Sequence, residues 1–574
     1  MSREQSFDAT PPPRRFLRPD ADLGDWSAAA PYFDELRRRP LSSVGAVEEW
    51  LLDGSELQAG LEEARNVREV AMTCQTDDAA REQAYLKFIE AVQPKARVAW
   101  NELDRKLVAA PATAELPQAR YGVLLRRIRN RVALYREENV RLATEDERLR
   151  TQFQKIAGAM TVMLDGQEQT LDQANRELEL PDRARRQAAW EAVWERRLRD
   201  RGSLDEVFDA MVAVRHQMAR NADCADYIEF AFRDMERFDY SPADCERFHA
   251  TVERVCVPAL RAMHAARRKR LSLTALRPWD LAVDPRSRPP LRPFETADAL
   301  IAGCGRAFGR VDRAFGEQFE VMRRESLLDL SSRKGKAPGG YMTTFELRRL
   351  PFIFMNAVGV HRDVETLLHE GGHAFHAFAT RNEPLCGYRS APIEFCEVAS
   401  MAMELLALDA LDEFYSPADH DRARRQQFEG IVTFFPWMAT IDGFQHWVYR
   451  HPRHTRGERT AAWLELRRRF GGLEEYAGHD DALAAQWQRQ LHPFTVPMYY
   501  VEYGIAQLGA LAVWCNARRD RQAAVQAYRA GLALGGSVPL PQLFATAGAR
   551  LDFSAGAVEP LMRELTSELG RLPE

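Results

Sequence analysis

The chain has 574 residues, 45% of them hydrophobic and 28% charged, an ordinary balance for a globular protein long enough for two or more domains. Its net charge of −5 gives no global attraction to nucleic acid or to an anionic membrane. No uninterrupted apolar run reaches about 18 residues, so no membrane span is expected. The eight cysteines, spread without a C-x-x-C pair, point to reduced thiols in a cytoplasm-like compartment.

The N-terminal stretch MSREQSFDATPPPRRF lacks a signal-peptide core, and residues 1–20 are expected to form a mobile leader. From Trp26 to Arg150, apolar residues recur at helical spacing. Met160–Leu171 breaks that pattern. Asp165-Gly166 between two short apolar runs predicts a hairpin. Helical spacing returns from Asp172 to about Leu271. The proline-rich stretch Arg277–Pro293 predicts a loop that skirts the helices. Thr296–Glu325 is helical again. Over Ser331–Asn356, glycines and a proline lead into β-favouring residues, predicting a loop and two short strands. From Val364 to Leu569 the pattern is helix with turns. The fold class read from this order is mostly α, with one small antiparallel sheet.

The apolar-periodic segment Val364–Phe378 contains His369-Glu370-Gly371-Gly372-His373, an H-E-x-x-H string. Residues four apart share a helix face, so both imidazoles can reach one metal ion, with zinc the usual occupant. Glu370 lies where it can take a proton from water activated by that metal. Composition alone yields such a string in roughly a few per cent of chains this long, so the surroundings matter. Gly371 and Gly372 each cost about 1 kcal/mol in a helix interior, which implies close approach by a ligand or by a neighbouring backbone. Glu397 opens the helical segment EVASMAMELLAL and would complete a set of three protein ligands. Glu404, two turns on, would accept an N–H from a ligand histidine. Further on, HPFTVPMYYVEYGIAQ holds His492, Tyr499, Tyr500 and Tyr503, groups able to donate to an oxyanion or to contact substrate.

Together these segments resemble the thimet oligopeptidase and oligoendopeptidase F family of zinc metallopeptidases, most closely its oligoendopeptidase F branch. The likeness rests on HEGGHAFH (ending in His376), on FCEVASMAMELL and on HPFTVPMYYVEYGIAQLGALAVW. Upstream, SRKGKAPGGYMTTF and LPFIFMNAVGVHRDVETLLHE are similar to the family's Gly-Tyr loop and the strand before the zinc helix. Lesser likenesses, such as AMTCQTDD, LRPWDLAV and TIDGFQHWVYRHPRHT, extend it over nearly the whole chain.

The resemblance implies one zinc ion held by His369, His373 and Glu397, with Glu370 as general base. It implies Tyr503 as the oxyanion donor, and His492 and Tyr500 at positions that contact substrate or transition state. Gly339, Gly340, Tyr341 and Tyr499 would line the substrate. The loop from His492 to Tyr500 is one residue shorter than in thimet oligopeptidase, and Val496 and Pro497 stand where a further tyrosine is expected. Two helical lobes around a deep channel are implied, drawn as an N-terminal lobe over 21–200 and a catalytic domain over 201–574. The expected activity is a cytoplasmic zinc endopeptidase acting on oligopeptides, as a monomer or small homo-oligomer without nucleic-acid or membrane partners. Two other functions fit parts of the pattern. A zinc aminopeptidase needs a site, commonly acidic, that captures a free α-amine; no motif for one stands out, and Glu394 is the one residue left open. A non-catalytic peptide-binding protein would keep the fold alone.

Overall fold

A computed structural model describes residues 9–573 apart from Lys334 and Pro338. The first eight residues of the expected leader lie outside these. Within its remainder, the backbone N–H groups of Arg15, Phe16 and Leu17 donate to the Glu56 carboxylate, and Leu17 is buried. The chain is mostly helical, as its apolar spacing predicts. Among the described residues, no helix is long and apolar enough to cross a membrane.

The chain forms two compact units. The first comprises residues up to Ala133, then Arg292–Ala423 and Ala506–Leu551; the second comprises Leu134–Leu291, Arg424–Ile505 and the chain from Asp552 onward. The units interleave along the sequence, where the sequence reading draws a single cut near residue 200. Three of the cut points, at 133/134, 423/424 and 505/506, fall inside the helices Gln118–Leu134, Pro417–Arg450 and Val501–Arg519. No loop signal therefore marks them.

In the first unit, helix Val44–Cys74 starts where the Ser43 hydroxyl accepts the Ala46 N–H, an N-cap that satisfies one orphan donor. Its buried residues Val47, Trp50, Leu57 and Leu61 join Phe33, Leu36, Leu103 and Leu107 in one apolar cluster. A three-stranded sheet follows: β3 (Leu328–Ser331), β4 (Tyr341–Phe345) and β5 (Leu350–Ala357), in the order β3-β5-β4. β5 pairs antiparallel with β4, as expected, and parallel with β3, a strand the sequence reading left out. Being central, β5 buries Leu350 to Met355 without alternation, the pattern of a strand covered on both faces. Helix His361–Thr380 packs on this sheet and on helix Ile393–Leu406.

In the second unit, β1 (Thr161–Leu164) and β2 (Gln167–Thr170) form the expected hairpin. Its two-residue turn has φ of 53° at Asp165 and 75° at Gly166, the left-handed pair that a type I′ turn requires. The proline-rich segment is a loop with one short turn, Pro278–Asp280. Fully buried Asp280 pins it by accepting hydrogen bonds from Arg183 and Arg186. Beside it, Trp190, Trp194 and Trp279 form a small core of their own.

Candidate metal centre

The H-E-x-x-H run lies on helix His361–Thr380, and both expected glutamates lie on helix Ile393–Leu406. These helices pack with no room for a side chain between them. A Cβ on Gly372 would come within 2.5 Å of both the Ala399 carbonyl oxygen and the Ser400 Cα, and one on Gly371 would come within 2.3 Å of the Phe308 ring. The close approach that the glycine pair implies is therefore to a neighbouring backbone at Gly372 and to a core ring at Gly371. Tyr528 locks the same contact by donating its hydroxyl to the Ala399 carbonyl at 2.6 Å.

This packing sets Glu397 against both histidines. His369 Nε2 is 3.4 Å and His373 Nε2 is 3.8 Å from Glu397 Oε2. The donor atoms of the three residues all lie within 4.8 Å of one another. Tetrahedral zinc with bonds near 2.0–2.1 Å needs nitrogen and oxygen donors about 3.3 Å apart, so the set fits one ion after small rotations. On the far side of the His369 ring, Nδ1–H donates to Glu404 Oε1 at 2.6 Å, which turns Nε2 inward. Ser400 donates its hydroxyl to Glu397 Oε2 at 3.2 Å, and the His373 ring donates to the Cys396 carbonyl.

The electrostatics ask for a cation. Burial opposes ionisation of Glu397, yet the hydrogen bond from His369 first, and then the two imidazoles beside it, hold its carboxyl down at about 2. Burial also disfavours charge on His369, but its bonds to Glu397 and Glu404 raise it well above its usual value. His373, pressed chiefly by burial, falls to about 4 and stays neutral. In the bare protein a proton on His369 thus supplies the positive charge between two carboxylates, a place that a divalent ion suits better. Glu370 is buried next to this set. Burial pushes its carboxyl up to about 7, with His369 and the Met342 backbone N–H pulling down and Glu397 and Glu404 pushing up. His376 lies behind, its Nδ1 3.8 Å from Cys396 Sγ, and burial lowers it to about 4.

The His/Tyr residues gather separately, in the second unit. The His492 ring centroid lies 4.8 Å from Tyr500, 5.8 Å from Tyr503 and 6.1 Å from Tyr499. Gln490 Nε2 donates to His492 Nδ1 at 2.6 Å, and Trp437 Nε1 fixes that amide by donating to its oxygen at 3.1 Å. His492 is pushed down to about 4 by burial, so its single ring proton sits on Nε2, a donor. Two buried arginines hold the loop that carries these residues. Arg215 donates to the carbonyls of Pro493 and Phe494, and Arg237 donates to the Met498 carbonyl and the Glu502 carboxylate. Met498 is thereby kept at φ 66°, in the left-handed region.

The expected substrate loop leads into β4. Gly339 has φ 96° and open space where a Cβ would stand, as a turn glycine does. Tyr341 turns to helix Val44–Cys74, its hydroxyl 2.6 Å from Thr73 Oγ1 and its ring stacked on Phe354. β5 has both edges taken by β3 and β4, so it offers no free edge to an extended peptide. The edge strand beside the motif helix is β4, whose Met342 N–H faces Glu370.

The model of peptidase family M3 matches residues 177–562, and that of the peptidase M3 N-terminal domain matches residues 21–135. The chain belongs to peptidase family M3. Oligopeptidase PepF of Bacillus subtilis is 26% identical over 39% of this chain and 34% of its own length. An oligoendopeptidase F homolog of Borreliella burgdorferi is 23% identical over 50% of this chain and 49% of its own. The chain thus spans between a third and a half of the curated relatives it matches. Among solved structures, a putative oligoendopeptidase F has a TM-score of 0.88 at 29% identity, over 97% of this chain and 98% of that one. PZ peptidase A with an inhibitor has the same TM-score and coverage at 26% identity.

In this M3-family chain, the supports of the centre are what sequence reasoning did not reach. The Met342 N–H comes from a strand some thirty residues upstream of the motif, and the Cys396 carbonyl is a main-chain group. Arg215 and Arg237 sit in ordinary helical or turn contexts, with nothing local to mark their burial.

Proposed function

We propose that this chain is a zinc-dependent endopeptidase that hydrolyses peptide bonds in oligopeptides. The observation that carries the reading is the convergence of His369, His373 and Glu397 donor atoms within 4.8 Å, with Glu370 alongside and Glu404 behind. Zinc, when bound, supplies Lewis acidity, acidifying water and polarising a carbonyl. Glu370 accepts the water proton on a carboxylate oxygen and passes it to the leaving amine. Tyr503 donates its O–H to the oxyanion that develops on the substrate. His492, through Nε2–H, and Tyr500 contact the same region, with Tyr499 and the loop Gly339-Gly340-Tyr341 holding the peptide.

Restriction to oligopeptides follows the names of the relatives, and a channel between two lobes is the family arrangement that would impose it. An aminopeptidase reading draws no support from Glu394, whose residue is only 2% exposed. A cytoplasmic location rests on cysteine usage alone.

The test is Glu370→Gln, assayed on an N-terminally blocked peptide. The variant should keep zinc at the motif site and lose about 10²–10⁴-fold in kcat. Cleavage at the wild-type rate would remove Glu370 as the base, and dependence on a free N-terminus would replace endopeptidase by aminopeptidase.

A further inference from the structure

The second unit contains a set of metal-type donors that the peptidase reading does not use. Cys245 and His249 lie four apart on helix Pro242–Arg270, and Asp442 and His446 lie four apart on helix Pro417–Arg450. Each pair therefore shares a helix face. The four meet in the interior, with exposures of 1%, 7%, 0% and 3% in that order. The donor atoms of Cys245, Asp442 and His446 lie within 4.8 Å of one another. His249 Nε2 is 2.8 Å and His446 Nε2 is 3.3 Å from the same oxygen, Asp442 Oδ2.

The protein's own groups do not satisfy this pocket. Asp442 Oδ1 and His446 Nδ1 are buried with no hydrogen-bond partner. Buried polar atoms are almost always satisfied, and orphans in one place call for a water or an ion.

We propose that Cys245, His249, Asp442 and His446 bind one zinc ion, in a second site that is structural rather than catalytic. One thiolate, one carboxylate and two neutral imidazoles balance the charge of a divalent ion, leaving the core neutral. Four protein donors fill a tetrahedral shell and leave no position for substrate. The thiolate and imidazoles select zinc over calcium or magnesium. On binding, the protons of the Cys245 thiol and of whichever imidazole carries a charge pass to solvent. The ion clamps the first turns of one long helix to the last third of another.

The test uses the full chain with His369→Ala and His373→Ala together, which empties the motif site without touching this one. After gel filtration from excess zinc, that variant should retain one equivalent of zinc per chain, against two for the wild type. Adding Cys245→Ser should abolish the remaining equivalent. Cobalt added to the double variant should give a thiolate-to-cobalt charge-transfer band, absent once Cys245 is serine. A double variant that keeps its helical circular dichroism yet holds no zinc and shows no such band overturns the proposal. If the serine variant fails to fold, the cobalt spectrum of the double variant decides alone. Neither readout depends on peptide cleavage, so failure here and failure of the peptidase reading are separate results.

Discussion

Gly372→Ala isolates the packing that assembles the metal centre. The added methyl would stand 2.5 Å from the Ala399 carbonyl oxygen and the Ser400 Cα. Ordinary carbon contacts lie at about 3.5–4.0 Å, so the two helices must separate by about 1 Å. Overpacking of this kind costs about 1–3 kcal/mol, against about 1 kcal/mol gained from the better helix propensity of alanine. The net loss is roughly 1 kcal/mol. The larger effect falls on the ligands. Glu397 rides on the displaced helix, and zinc bonds tolerate errors of only about 0.2 Å. Zinc affinity should fall by at least about 100-fold, the upper end of what loss of an outer partner costs. Competition against a chelator reads the affinity, and thermal unfolding of the metal-free protein reads the stability. Gly371→Ala is the control. Its methyl meets the Phe308 ring, packed between Phe319 and Phe375, so stability should drop while zinc affinity holds. A Gly372→Ala protein that binds zinc as the wild type does, and unfolds no lower, would refute the account of the glycine pair.

Three further expectations bear on separate parts of the chain. Glu404→Ala removes the acceptor for His369 Nδ1–H and should weaken zinc binding about 10–100-fold, with activity recovered at high zinc; unchanged affinity would leave Glu404 without a role at the centre. Tyr503→Phe should lower kcat about 10²–10³-fold with little change in KM, and an unaffected kcat would pass the oxyanion role to another tyrosine. Glu346 is half-buried beside Glu62 and Arg389, and desolvation first, then the Glu62 charge, pushes its carboxyl up to about 7. The folded state therefore holds this proton more tightly than the unfolded chain does, so its contribution is full below about pH 4.5 and is lost as the pH rises through 7. Glu346→Gln removes that slope. The difference in unfolding midpoint should shift toward the variant between pH 5 and pH 8, and parallel profiles would refute the assignment.

What the sequence disclosed divides by the range of the interaction. The motif helix, the Asp165-Gly166 hairpin and the proline-rich loop are written in local spacing and turn chemistry, and each is where the pattern puts it. Glu397 was legible through its resemblance to a known segment; its apolar surroundings alone say only that a buried carboxylate needs a partner. The glycine pair showed that something approaches closely without showing what. β3 escaped notice because its pairing with β5 is parallel, so no hairpin turn announces it, and its four residues follow helix Arg313–Arg324 after only a three-residue turn. Arg215 could not be read from its neighbours, since the carbonyls it satisfies lie nearly 280 residues away. Helix periodicity likewise runs through the unit boundaries without a break.

The interleaving of the units has a consequence for biosynthesis. Helix Ala555–Arg571 packs on helix Pro242–Arg270, which leaves the ribosome roughly 300 residues earlier. At about 5–20 residues per second, the apolar face of the earlier helix waits some 15–60 s for its partner. No contiguous fragment of the polypeptide contains either unit whole without much of the other, so vectorial, one-unit-at-a-time folding is closed to this chain. Nascent molecules should lean on holdase chaperones, and stop codons that remove helix Ala555–Arg571 should be as damaging in the cell as lesions at His369 or His373.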